Sequence, residues 1–126
     1  MIVKICGFTR VEDVEAACDL GVDMIGVILV DGSKRQVTID QAKEILSTAS
    51  AKRVIVCKPN SPSEVLELDH QLKPDFFQLH PSLKPEELKK MKEKLSAGLI
   101  TVLPIPTTGA SLSTLRREAT RLEELG

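Results

Sequence analysis

Residues 1–30 read MIVKICGFTRVEDVEAACDLGVDMIGVILV, and one whole strand–helix–strand unit lies within them. Ile2–Cys6 is short and rich in β-branched residues, which predicts a strand, and Gly7 ends it. Thr9 is placed to cap the helix that follows, with Glu12 three residues on as its capping-box partner. Val11, Val14, Ala17, Cys18 and Leu20 recur at helical spacing, giving that helix one apolar face, and Gly21 supplies its stop. Met24–Val30 is then apolar almost without interruption. A strand of a parallel sheet, covered on both faces, reads in this way.

The unit repeats to the end of the chain. After the loop Asp31-Gly32-Ser33, Thr38 is a candidate cap for a helix running to about Ala49, and Arg53–Cys57 is a third strand. Ser61 and Pro62 open a third helix ending near Leu72, since proline suits the first helical position. Phe76–His80 is a fourth strand, and Lys84–Leu95 a fourth helix opened by Pro85. Leu99–Leu103 is a fifth strand, followed by a Pro/Thr/Gly loop and a fifth helix from Ser111 to Leu125. Five strand–helix units over residues 1–126 imply a single domain with a parallel sheet. A closed barrel of eight such units needs about 200 residues or more. The pattern therefore predicts an α/β fold, the parallel (βα)5 portion of a (βα)8 TIM barrel. The alternative is an open, doubly wound, flavodoxin-like sheet. Periodicity alone does not choose between them.

Composition narrows the function classes. Hydrophobic residues are 42% and charged residues 28% of the chain, ordinary usage for a soluble globular protein. With three Phe and neither Trp nor Tyr, the core must be built from Leu, Ile and Val, and stacking platforms for nucleic-acid bases are lacking. A formal net charge of -1 gives no electrostatic reason to expect nucleic acid or an anionic membrane surface. Met24–Val30, the longest apolar run, is far short of a membrane span, and the N-terminus lacks the pattern of a secretory leader. Cys6, Cys18 and Cys57 are an odd, scattered set, better suited to a reducing cytoplasm than to a disulfide framework. No CxxC or HxxxH spacing occurs, so no metal ligands are expected.

In parallel βα folds the functional residues sit at the C-terminal ends of the strands. There stand Cys6 and Gly7; Asp31, Ser33, Lys34 and Arg35; Lys58 and Asn60; Gln78 and His80; and, after the fifth strand, only Pro104 and Pro106. Cys6 can act as nucleophile or base if its thiolate is accessible; the bland reading is a small buried hydrophobe. Cys18, on a helix core face, and Cys57, within a strand, take the bland reading. Arg35 carries a planar fork suited to a carboxylate, though Ser-Lys-Arg is also what a solvated loop looks like. His80 is a candidate acid, base or hydrogen-bond donor, or a structural hydrogen-bonder; His70, on a helix, is a surface residue. Neither GxGxxG nor GxxxxGK[ST] is present, and Thr107-Thr108-Gly109-Ala110 ahead of a helix is a weak anion pattern.

The arrangement of these residues resembles one family. Val3-Lys4-Ile5-Cys6-Gly7 with Thr9-Arg10 is similar to the KICG-x-T-R opening of the phosphoribosylanthranilate isomerases. Gly21–Val27 resembles their G-A-D-x-x-G-[FV] second strand, Ser33–Val37 their S-x-R-x-[VI] loop, and Phe77–His80 their [VI]-Q-L-H fourth strand. The resemblance runs over essentially the whole chain. It implies an aldose–ketose isomerase of tryptophan biosynthesis, working by Amadori rearrangement of N-(5′-phosphoribosyl)anthranilate without cofactor or metal. By the same resemblance Cys6 is the general base, Arg35 binds the anthranilate carboxylate, and His80 lines the substrate pocket. The family's general acid, an aspartate ending strand six, and its phosphate site after strands seven and eight would fall beyond Gly126. Pro81 stands where the family has a glycine. Five units leave two unpaired strand edges, which predicts either a fragment of a longer product or an obligate assembler, partnered by a second copy in a homodimer or by a complementing C-terminal half-barrel. Three readings follow from this: an isomerase inactive alone, a non-catalytic half-barrel remnant, and an assembly module.

Overall fold

The computed structural model describes residues 1–109 and 111–124, and every structural statement here concerns those residues. Five strands alternate with five helices: β1 (Lys4–Cys6), α1 (Val11–Asp19), β2 (Met24–Leu29), α2 (Ile39–Ser47), β3 (Lys52–Cys57), α3 (Pro62–Leu72), β4 (Phe76–Leu79), α4 (Pro85–Lys94), β5 (Gly98–Thr101) and α5 (Leu112–Glu124). The strands form one parallel sheet in the order β1-β2-β3-β4-β5. That order excludes the flavodoxin-like alternative, which places its second strand outside its first. Neighbouring helices α1–α2, α2–α3 and α3–α4 touch one another in the same sequence. Strands and helices thus advance together, as they do around a (βα)8 barrel.

Strand side chains alternate between the two faces of the sheet. Ile25, Val27, Ile55, Cys57, Phe77 and Leu79 lie on the helix side, packed with Val14, Ala17, Ala42, Ile45, Val65, Leu72 and Met91. The opposite face carries Cys6, Met24, Gly26, Ile28, Val54, Val56, Phe76, Gln78 and Ile100. Val54 and Val56 at its centre are buried, while Phe76 and Gln78 toward β5 are half-buried.

Local signals account for most of the element ends. At α2 the Thr38 hydroxyl accepts from Gln41 N–H and the Gln41 side chain accepts from Thr38 N–H, a reciprocal cap. The expected Thr9–Glu12 cap of α1 does not form. Arg10 takes the N-cap position with no side-chain hydrogen bond, and Glu12 pairs instead with the Arg10 guanidinium at 3.5 Å. Leu20, expected on the apolar face, is 86% exposed because it is the C-cap residue, past the last packed turn. Gly21 follows with φ +80, as a helix stop requires. The fifth strand ends at Thr101, short of Leu103, because its only neighbour, β4, ends at Leu79, the partner of Thr101. The fifth helix is described to Glu124; Leu125 lies outside the described residues.

One edge of the sheet leaves apolar residues bare: Ile2 is 71%, Val3 38% and Ile5 44% exposed. At the other, the amphipathic α5 buries none of its residues. No helix of the described residues is long and apolar enough to cross a membrane.

Asp75 ties the N-terminal ends of β3 and β4 together. Its Oδ2 accepts Arg53 N–H at 2.8 Å, and Lys52 stands 3.6 Å away. The Arg53 N–H, aided by the Lys52 charge and against a smaller effect of burial, holds the carboxyl below its ordinary value. A folded-state value below the unfolded one (about 3.9) means stability that is complete above the unfolded value. It is lost as pH falls through the folded value. Asp75→Asn should cost about 1–2 kcal/mol at neutral pH, and urea unfolding followed from pH 7 to pH 3 should show a shallower acid decline.

Candidate active site

Parallel pairing puts the C-terminal ends of all five strands on one rim, and the candidate residues stand there. β1 stops at Cys6 because the chain turns through Gly7, whose φ is +89. The turn is pinned to β2: Gly7 N–H and Phe8 N–H both donate to the Gly26 carbonyl, at 2.9 and 3.1 Å. Cys6 itself pairs with Gly26 and is half-buried.

The loop between β2 and α2 brings Arg35 to this point. Beyond Cys6 the β1 side of β2 is free, and the loop occupies it: Gln36 bridges Ile28, and Val37 N–H donates to the Ile28 carbonyl at 3.0 Å. Ser33 Oγ accepts Arg35 N–H, and Gln36 Nε2 donates to Asp31 Oδ1 at 2.8 Å, fixing the loop from within. The Arg35 side chain then lies over Gly7, and its Nη1 donates to the Cys6 carbonyl at 2.9 Å. A Cβ on Gly7 would fall 2.6 Å from Cζ and 2.9 Å from Nε, so the guanidinium occupies the room a side chain would take. Among the described residues no carboxylate pairs with Arg35, which is exposed. Its remaining N–H groups can therefore receive an anion from solvent.

His80 stands apart from this pair. It directly follows β4, its N–H donates to the Cys57 carbonyl at 3.0 Å, and it makes no hydrogen bond with Cys6 or Arg35. With Ser82, Leu83, Thr101, Glu118 and Arg121 it lines a cavity of about 190 Å³ between the β4–α4 loop and α5. Asn60 is structural, its N–H donating to Glu64 Oε2 at 2.9 Å, and Lys58 is exposed.

The other two cysteines take no part. Burial, aided by the Glu64 charge, pushes the Cys57 thiol up to about 12, so it stays neutral. Burial disfavours the Cys18 thiolate, but hydrogen bonds from Ala51 and Ser50 outweigh it and leave a lowered value. Among the described residues no three His, Cys, Asp or Glu side chains gather into a metal shell. Gly7 and Gly26 both stand in the stretches that carry the family resemblance, but the role of Gly7 as the seat of Arg35 depends on a contact between residues 28 positions apart.

The family model described as N-(5'phosphoribosyl)anthranilate (PRA) isomerase matches residues 3–118. Among curated proteins, an N-(5'-phosphoribosyl)anthranilate isomerase of Rubrobacter xylanophilus is 35% identical across 91% of this chain and 56% of its own length. The N-(5'-phosphoribosyl)anthranilate isomerase 1 of Methanosarcina mazei is 34% identical, with 98% and 57% covered. The chain spans about half the length of the curated relatives it matches. Among solved structures, the phosphoribosyl anthranilate isomerase of Thermus thermophilus superposes with TM-score 0.76 at 31% identity, covering 87% of this chain and 55% of that one. A phosphoribosyl anthranilate isomerase in complex with reduced 1-(o-carboxyphenylamino)-1-deoxyribulose 5-phosphate superposes with TM-score 0.83 at 26% identity, covering 98% and 62%.

The seat of Arg35 can be tested by filling it. Gly7→Ala combines a left-handed backbone with a collision against the guanidinium, and should destabilise the chain by about 1–2 kcal/mol from the backbone alone. Thermal melting measures the loss; a fully stable Gly7→Ala protein would contradict the geometry.

Proposed function

The chain belongs to the N-(5′-phosphoribosyl)anthranilate isomerase family, and we propose that its five βα units carry the proton-abstracting and carboxylate-binding part of that enzyme's site. The supporting observation is the hydrogen bond from Arg35 to the Cys6 carbonyl, which ties an anion reader to the strand end bearing the thiol.

In this reading Arg35 receives the anthranilate carboxylate of N-(5′-phosphoribosyl)anthranilate with its free N–H groups. The aminosugar then lies across the rim toward Cys6. A general acid protonates the ring oxygen and the sugar opens to a Schiff base. The Cys6 thiolate takes the C2′ proton, and the enolamine tautomerises to the 1-deoxyribulose phosphate. His80, two strands beyond β2, borders the far side of the substrate as a hydrogen-bonding group. Removing a carbon-bound proton needs a base held at hydrogen-bond reach, and a positioned base contributes about 10²- to 10⁴-fold in rate.

The general acid and the phosphate site are assigned to three further βα units, whether they continue this chain or come from a separate polypeptide. Three observations support this. The sheet has two free edges, at β1 and β5. The similar barrel structure exceeds the chain by about the share that three units of eight would make up, since 62% of it is covered. And α5 offers an apolar stripe of Leu115, Ala119 and Leu122 that is only half-covered. A second copy of the chain is the competing occupant, favoured by the bare Ile2, Val3 and Ile5 at the β1 edge. The three free thiols fit a reducing cytoplasm.

The test is loss of phosphoribosylanthranilate, assayed for the chain alone and mixed with a polypeptide of the last three βα units of a relative. Turnover should appear in the mixture, and Cys6→Ala should lower kcat by about 10²-fold or more. Turnover by the chain alone would assign the acid to its own residues or to its homo-oligomer. Turnover indifferent to Cys6→Ala would remove Cys6 from the chemistry.

A further inference from the structure

We infer that Gly26 is a positioning residue for Cys6: it makes the room in which the thiol sits and fixes the backbone turn that follows. This rests on the reading of Cys6 as the proton-abstracting group, and extends it to a residue on the next strand.

Two independent features meet at this glycine. Cys6 and Gly26 are direct partners in the β1–β2 register, so their side-chain directions coincide on the face opposite the helices. A Cβ built on Gly26 would stand 3.1 Å from Cys6 Sγ and 3.6 Å from Cys6 Cβ. The thiol therefore leans over Gly26, into space that any other residue would fill. A methyl there would stand 3.5 Å from the Val54 carbonyl of β3, an ordinary contact, so the Cys6 sulfur is the atom that must give way. The Gly26 φ lies in the ordinary range, and backbone strain is not the reason for glycine.

The second feature is the carbonyl. Gly26 O accepts both Gly7 N–H and Phe8 N–H, which pulls the chain sharply off β1 just past the thiol. That turn presents the Cys6 carbonyl to Arg35. Gly26 thus holds the thiol with its missing side chain and the Arg35 seat with its backbone. Substitution by alanine removes only the first of these.

A double-mutant cycle separates positioning from general stability. Gly26→Ala should lower Tm by about 5 °C or more, and Cys6→Ala in the same chain should recover most of the loss, because the crowded sulfur is gone. Val27→Ala, next along β2 but buried on the helix side, should lose stability that Cys6→Ala does not recover. Iodoacetamide labelling resolved by peptide mass spectrometry gives a second readout. Cys6 should label several-fold more slowly in Gly26→Ala than in the unsubstituted chain, while buried Cys57 stays protected and reports that the protein is folded.

Recovery by Cys6→Ala together with slowed labelling supports the inference. Should Gly26→Ala fail to fold, folding of the double variant supports it equally. Unchanged Cys6 labelling in folded Gly26→Ala, or equal losses in both Cys6 backgrounds, overturns it. These results do not depend on turnover, so a failed assignment of Cys6 as base would show separately, as activity surviving Cys6→Ala.

Discussion

The parallel, in-order pairing of β1 to β5 is the constraint from which the rest of the molecule follows. It sets every strand end on one rim, so residues from distant parts of the sequence meet there. It also leaves the β1 side of β2 vacant beyond Cys6, and the loop carrying Arg35 fills that strip by bridging Ile28. Once the loop lies there, the guanidinium is beside the turn at Gly7. No side chain blocks it, and the Cys6 carbonyl is within a hydrogen bond. The grouping at the rim is thus a consequence of register and of two glycines.

The same pairing that builds the rim leaves it open. A parallel strand at an edge presents a row of unsatisfied N–H and C=O groups, and barrel closure is the arrangement that removes edges altogether. Here Ile2, Val3 and Ile5 are bare at one edge, and α5 is thinly packed at the other. The interior of the sheet is by contrast well covered: Val54, Ile55 and Phe77 are inaccessible to solvent. Packing therefore weakens from the centre outward.

Strand and helix order was legible in the sequence because each parallel strand is a dense apolar run and each helix carries its own apolar stripe. Cys6, Arg35 and His80 were legible as candidates because strand ends are where such folds carry polar groups. Their grouping was implied only by the family resemblance, and their contacts were not legible at all. That Arg35 bonds the Cys6 carbonyl while His80 faces the α5 side depends on how a loop lies over a neighbouring strand, which no local pattern encodes. The cap of α1 misled for a related reason: Thr9 and Glu12 have capping spacing, but the chain enters the helix one residue later, at Arg10. Leu20 fits the helical period yet falls beyond the last packed turn. Gly26 stood in a motif of the family resemblance, but its relation to Cys6 depends on the position of a sulfur atom on the adjacent strand.

The proposed function has Arg35 hold a carboxylate beside Cys6. The most direct measurement is a nuclear magnetic resonance titration of the nitrogen-15-labelled chain with anthranilate, following the Arg35 Nε–H and the amides of Gly7 and Phe8. Saturable shifts centred on these three groups, abolished in Arg35→Met, are the predicted result. Shifts elsewhere on the molecule, or shifts that survive Arg35→Met, would contradict it.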